Sequence, residues 1–176
     1  MDIILAVERI APEELTLMGP FDVKFNNYIK EPDAALIPWR SSISTEVLDD
    51  GFGFPTPNLV IEIACSESRE QLVRELTSWT SAGTSVQVAV GIKMYPYSER
   101  SDRAEAIVHR RGVSNPEQVV RFSPDAGDCP IIVFHLKDLF FGVVPKLPLG
   151  LQDRIARDEI IKIDLKKVRD RILRNR

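Results

Sequence analysis

The amino-acid sequence predicts a mixed α/β (α+β) protein in which helices flank a central, mixed β-sheet. Three observations lead to this prediction. Apolar, strand-like runs outnumber helical patterns along the 176 residues. Two of these runs, residues 58–64 and 85–95, enclose an amphipathic helical pattern, so a strand–helix–strand unit lies at the centre of the chain. The length is that of one domain with a substantial core.

The first third of the chain predicts short elements around one long loop. Residues 11–19 fit a short helix, because Pro12 stands near the first turn and Gly19 with Pro20 ends it. Residues 21–25 are a strand or an irregular lead-in, and residues 33–38 are a short apolar strand closed by Pro38. Residues 39–57 are rich in Ser, Asp, Gly and Pro, which predicts a loop of unusual length and therefore of functional interest.

The central unit carries the clearest local signals. Ser68, with Gln71 three residues later, forms a capping-box pattern, and Gly83 fits the end of the helix. The apolar stripe of this helix predicts packing on a sheet. In the following strand, Val86, Val88, Val90 and Ile92 point one way, and Gln87, Ala89, Gly91 and Lys93 point the other.

The last third predicts further strands and a terminal helix. Two strand-like runs enclose a turn, a third run ends in a helical turn, and a proline-rich connection leads to an edge strand and a helix. In chain order these are residues 104–111, 117–122, 130–140, 143–151, 160–165 and 166–174.

Composition excludes several classes of protein. The net charge of −3 argues against a molecule that is basic all over, although residues 162–176 are locally basic. That segment is either a phosphate-contacting patch or the solvated face of a terminal helix. Two cysteines and two histidines make a zinc cage or a disulfide scaffold improbable. With no secretory pattern and no membrane-length apolar run, an intracellular protein, cytoplasmic or nuclear, without a membrane partner is expected.

Glu62 stands in the middle of an apolar strand that reads as buried on both faces. An unpaired carboxylate there costs several kcal/mol. Asp33 opens the neighbouring apolar run, and an Asp and a Glu converge on one point only if a positive charge lies between them. Mg²⁺ or Mn²⁺ is the natural candidate. The alternative is that Glu62 pairs with Arg74 or Arg110, or reaches the rim of the sheet.

The segments EPDAALIP, PNLVIEIACSES, the helix ending in SAG, and VQVAVGIKMY, all within residues 31–95, resemble the PD-(D/E)XK restriction-endonuclease-like superfamily. More narrowly they resemble its "putative restriction endonuclease" branch. We expect a single domain of this kind over residues 1–176, with a basic strand–helix segment at about 160–176, and the resemblance itself covers about a third of the chain. The resemblance implies that Asp33 and Glu62 bind Mg²⁺ or Mn²⁺, and that the protein is a metal-dependent endonuclease hydrolysing DNA phosphodiester bonds.

The sequence departs from the superfamily at its third element, a lysine two residues after the glutamate, where this chain has Ala64. Lys93 is the replacement candidate, with Gln87 as a secondary pocket residue, provided that their strand neighbours the strand of Glu62. Glu75 is a candidate third carboxylate. DNA is the expected partner, and a homodimer is left open. The alternative function is a catalytically degenerate nuclease fold acting as a nucleic-acid or protein binding module, and a third interpretation makes both carboxylates structural.

Overall fold

The computed structural model describes residues 15–20, 22–25, 28–38, 57–95, 104–122, 130–166, 168 and 170. These residues form ten strands and three α-helices. The strands are β1 Leu15–Met18, β2 Val23–Phe25, β3 Tyr28–Lys30, β4 Ala34–Pro38, β5 Leu59–Ala64, β6 Val88–Met94, β7 Ala104–Arg110, β8 Gln118–Phe122, β9 Ile131–His135 and β10 Ile160–Asp164. The helices are α1 Arg69–Trp79, α2 Leu136–Leu139 and α3 Leu149–Ala156, with a 3₁₀ turn at Val144–Lys146.

Six strands form the central sheet in the order β1-β4-β5-β6-β7-β8. Strands β5 and β6 are parallel and are joined by α1, whereas every other neighbouring pair in this sheet is antiparallel. The predicted mixed α+β architecture is therefore confirmed. Two small antiparallel pairs, β2–β3 and β9–β10, complete the described sheets.

Helix α1 covers one face of the central sheet. It begins with the predicted capping box, in which Ser68 Oγ accepts from the Gln71 N–H and the Gln71 side chain accepts from the Ser68 N–H. Leu72, Leu76 and Trp79 are buried against the apolar side chains that β5, β6 and β7 present on this face. The opposite face packs on a larger apolar cluster that includes β9, β10, α2 and α3.

Three local expectations are corrected. Residues 15–18 form strand β1 and not part of a helix, because Leu15 and Met18 pair with Pro38 and Ala35 across β4. Helix α1 ends at Trp79, before the predicted stop, with the Thr80 hydroxyl bonding back to the Leu76 carbonyl. The proline-rich connection contains the 3₁₀ turn and the first residues of α3, a helix that continues to Ala156 and was not predicted.

Two predicted segments lie outside the described residues in whole or in large part. Of the long loop only residue 57 is described, and of the terminal helix only residues 166, 168 and 170 carry helical backbone. No helix in the described part of the chain is long and apolar enough to cross a membrane.

Gly91 provides a test of how α1 is seated on the sheet. A Cβ at this position would lie 2.8 Å from Leu76 Cδ1 and 3.0 Å from the nearest Leu72 atoms. Gly91→Ala is therefore expected to lower the free energy of unfolding by about 1–3 kcal/mol, since α1 must lift or repack. Chemical denaturation measures the change.

Gly150→Ala, in α3, is the matched control. Apart from its chain neighbours and the backbone of its own helix, no atom of the described residues lies within 4 Å of its added Cβ. Alanine favours a helix over glycine, so the expected change is zero to about 1 kcal/mol of stabilisation. Equal effects from the two substitutions would contradict the close approach of α1 at Gly91.

Candidate functional site

The structure brings the two predicted carboxylates together. Ala34 pairs with Ile61 across β4 and β5, so one further step of this antiparallel register sets Asp33 opposite Glu62. Residues directly opposite each other in such a pair carry their side chains on the same face. Asp33 Oδ2 also accepts a hydrogen bond from the Ile63 backbone N–H at 2.6 Å, which holds this carboxylate against β5.

Glu62 is half-buried beneath α1. Its Oε1 accepts a hydrogen bond from the Trp79 indole nitrogen at 2.5 Å. Burial is the largest cause that raises its pKa to about 7; the Trp79 hydrogen bond opposes the shift, and the Asp33 charge adds to it. A carboxyl with this pKa exchanges its proton near neutral pH, as expected for an acidic group that is removed from water.

No arginine neutralises Glu62 within the described residues. Arg110 instead pairs with Glu117 and with Asp138, and Arg74 lies on the exposed side of α1. The alternative in which Glu62 is one half of a buried arginine pair is therefore not what the structure contains.

Lys30 is a member of the site that the sequence reasoning missed. Its Nζ lies 2.9 Å from Glu75 Oε1, donates to Ser78 Oγ at 3.1 Å, and stands 4.2 Å from the centroid of a Trp79 ring. The Lys30 charge lowers the pKa of Glu62 and the Glu75 charge raises it, each by less than burial does. No local sequence pattern marks Lys30 as a site residue, because Lys30 reaches the site only through the position of β3 beside α1.

Lys93 lies on the strand next to Glu62, as the prediction required. Its partner in the parallel register is Ala64, and Gly91 is the partner of Glu62. The residue is 4% exposed, and its ammonium donates to the Cys65 carbonyl at 2.9 Å and lies 5.3 Å from the Tyr95 ring centroid. Among the described residues, no carboxylate lies within ion-pair distance of this ammonium.

Gln87 is placed away from the carboxylates. It precedes β6 at the opposite end from Lys93, and its amide donates to the Ser85 carbonyl at 2.7 Å. Four residues separate it from Gly91, the partner of Glu62, which is roughly 13 Å along a strand. The structure therefore does not bring Gln87 into the pocket predicted for it.

The donor chemistry suits a hard divalent cation that keeps water ligands. Mg²⁺ is commonly held in proteins by one or two carboxylates, with the remaining positions filled by water and substrate phosphate. Asp33 and Glu62 supply such a pair. Among the residues that the structure describes, no three His, Cys, Asp or Glu side chains are arranged to hold an ion.

Comparison with known proteins gives one structural neighbour. No family model and no curated protein sequence matches this chain. Among solved structures, a protein from Anabaena variabilis described as a "putative nuclease belonging to DUF820" is similar, with 14% sequence identity and a TM-score of 0.44. The alignment covers 88% of this chain and 74% of that one. A likeness at this level assigns no residue role, so the roles below rest on the geometry of the site itself.

The raised pKa of Glu62 predicts a pH-dependent stability. Between pH 4.5 and about 7 the folded protein holds the Glu62 proton more tightly than the unfolded chain does, so this contribution to stability declines as pH rises through that window. Glu62→Gln removes the contribution. The unfolding free energies of wild type and variant, measured from pH 4 to pH 8, are expected to differ by an amount that changes across the window.

The exposed Glu67 supplies the control, Glu67→Gln, whose difference from wild type should be small throughout. A wild-type-minus-Glu62→Gln difference that stays flat from pH 4 to pH 8 would contradict the assigned pKa.

Proposed function

We propose that this protein is a metal-dependent nuclease that hydrolyses DNA phosphodiester bonds, with Asp33 and Glu62 holding Mg²⁺ or Mn²⁺. One observation carries the proposal: two carboxylates from neighbouring strands share a face in register, and one of them lies half-buried with no arginine partner among the described residues. A divalent cation between them offsets their repulsion and the cost of burying Glu62.

Two fixed hydrogen bonds prepare the carboxylates to act as ligands. The Ile63 N–H holds Asp33 through Oδ2, and the Trp79 indole holds Glu62 through Oε1. Within the described residues the second oxygen of each group accepts no hydrogen bond, which leaves it available to a cation. A cation held by Asp33 and Glu62 would polarise a phosphoryl oxygen and lower the pKa of a bound water.

Lys93 is proposed to stabilise negative charge on the phosphate. Its register partner Ala64 is the position at which the superfamily described above carries its lysine. Partner residues on adjacent strands share a face and stand about 5 Å apart, so Lys93 enters the same region from the next strand. An ammonium has three donors, and the Cys65 carbonyl takes one of them. A bound anion would compensate the burial of the remaining charge.

A binding module without catalysis is the second candidate. Two contacts favour it: the ammonium of Lys93 is engaged by the Cys65 carbonyl, and Lys30 is paired with Glu75 beside Glu62. In such a protein the sheet and its charges are retained for recognition of a nucleic acid or a protein, and no bond is broken.

Cleavage assays separate the two candidates. The wild type is expected to cut supercoiled plasmid or single-stranded DNA in Mg²⁺ or Mn²⁺ and to be inactive in EDTA. Asp33→Asn and Glu62→Gln are each expected to reduce the rate to that of the metal-free protein, since each removes half of the ligand pair. Asp153→Asn, an exposed carboxylate on α3, is the control and should cut like the wild type.

Calorimetry with Mn²⁺ completes the test. Binding that both site variants lose, together with cutting, supports the nuclease. A wild type that neither binds Mn²⁺ nor cuts DNA would refute the metal-dependent nuclease and leave the binding module.

Exchange of two neighbouring side chains tests Lys93. Lys93→Ala is expected to slow cleavage by roughly 10²–10³-fold, the usual effect of removing one group that stabilises developing charge. The double variant Lys93→Ala with Ala64→Lys returns an ammonium to the same face from β5 and keeps the total side-chain volume. It is expected to recover part of the rate.

Thermal unfolding of both variants identifies any loss that comes from misfolding, since Ala64 is completely buried. Wild-type cutting by Lys93→Ala would remove this residue from the mechanism and leave the carboxylate pair unaffected.

A further inference from the structure

A row of charged side chains crosses the α1 face of the sheet beside the carboxylates. Lys93 on β6 is the register partner of Glu105 on β7, which is in turn the partner of Arg121 on β8. Because partners across a sheet share a face, all three side chains lie on the same side as Glu62. Arg69, the first residue of α1, joins this row through its ion pair with Glu105.

Glu105 anchors two arginines at once. It is 4% exposed. Its Oε2 accepts from Arg69 Nε at 2.9 Å, and its Oε1 accepts from Arg121 Nε at 3.0 Å. Tyr95 also borders this carboxylate, since burial first and the Glu105 charge second raise the pKa of the Tyr95 phenol. One buried carboxylate therefore fixes the positions of two guanidinium groups.

The outer nitrogens of both arginines remain available. Each arginine contacts Glu105 through Nε, and within the described residues neither has another hydrogen-bond or ion-pair partner. The Arg121 side chain is 69% exposed and that of Arg69 36%. The single negative charge of Glu105 balances only one of the two arginines. The three side chains together therefore carry a net positive charge. Planar guanidinium groups with unused donors are well suited to phosphate oxygens.

The distance across the sheet from the two arginines to the carboxylates Asp33 and Glu62 is short enough for one nucleic-acid strand to contact both. Three strand spacings separate β5 from β8, which is about 14 Å across the sheet. One strand of a B-form duplex carries about four phosphates over that length. The molecule as a whole has a net charge of −3, so a bound polyanion needs local cations such as these.

We propose that Arg69 and Arg121, anchored by Glu105, form a phosphate clamp for the nucleic-acid backbone a few nucleotides from the bond that Asp33 and Glu62 attack. This proposal rests on the proposed nuclease function, because that function makes a nucleic acid the substrate. It orients the strand along the row toward Lys93, and the buried anchor keeps both guanidinium groups in place before the nucleic acid arrives.

The test measures binding without cleavage. Anisotropy of a fluorescein-labelled DNA duplex, and of one of its strands, is recorded in EDTA over a series of salt concentrations. Arg69→Ala and Arg121→Ala are each expected to weaken binding about tenfold and to reduce the slope of log K against log salt by about one, as loss of a phosphate contact does. Arg121→Lys keeps the charge and should recover the slope.

Arg74→Ala is the matched control, because it removes the same charge from the exposed side of the same helix. It is expected to leave both affinity and slope close to wild type. Thermal unfolding of each variant separates loss of the clamp from loss of the fold, and Arg121, the more exposed arginine, is the cleaner probe.

The outcomes distinguish the clamp from the nuclease. Weaker binding and lower slopes in the clamp variants support the clamp even if the wild type cuts no DNA. In that case only the proposed hydrolysis is refuted. Unchanged slopes in Arg69→Ala and Arg121→Ala, an equal loss in Arg74→Ala, or no DNA binding by the wild type would overturn the clamp. Cutting by the wild type together with unchanged slopes would leave the nuclease standing without it.

Discussion

The parallel pairing of β5 with β6, which α1 connects and covers, is the constraint on which the rest of the structure depends. It sets Glu62 opposite Gly91 and Ala64 opposite Lys93. Because Gly91 has no side chain, α1 packs closely at this point. That packing brings the Trp79 indole to Glu62. A one-residue slip of either strand would turn the side chains of that strand to the other face and separate these pairs.

Charge is divided along the α1 face. On the β4–β5 side, Asp33 and Glu62 stand together, and the charge of Lys30 lowers the pKa of Glu62. On the β7–β8 side, Glu105 holds two arginines. Lys93 lies between the two groups. This division suits the proposed nuclease, in which the carboxylates would hold a cation and the basic side chains would contact the phosphate groups.

Local sequence patterns correctly predicted the elements whose signals lie within a few neighbouring residues. The capping box of Ser68 and Gln71 and the alternation along β6 required no knowledge of the fold. The alternation fails just before the strand, where Val86 packs with the Ala89 side and not with Val88 as predicted. Residues 15–18 were mistaken for helix, since four apolar and small polar residues suit either state and only the pairing with β4 decides. Helix α3 was missed because two nearby prolines mask its short pattern.

The sequence by itself determined that a carboxylate stands in an apolar strand, that Asp33 opens another apolar run, and that the usual lysine is absent. Hydrophobic patterning and residue identity suffice for such statements. The sequence did not show that the strand is open to solvent beside this carboxylate, where Ile63 is exposed. Only the tertiary structure decided that Gln87 lies at the far end of β6, that Lys30 joins the site, and that Glu105 anchors two arginines. These contacts join residues far apart in the chain, and their positions depend on strand order and register, which no local pattern specifies.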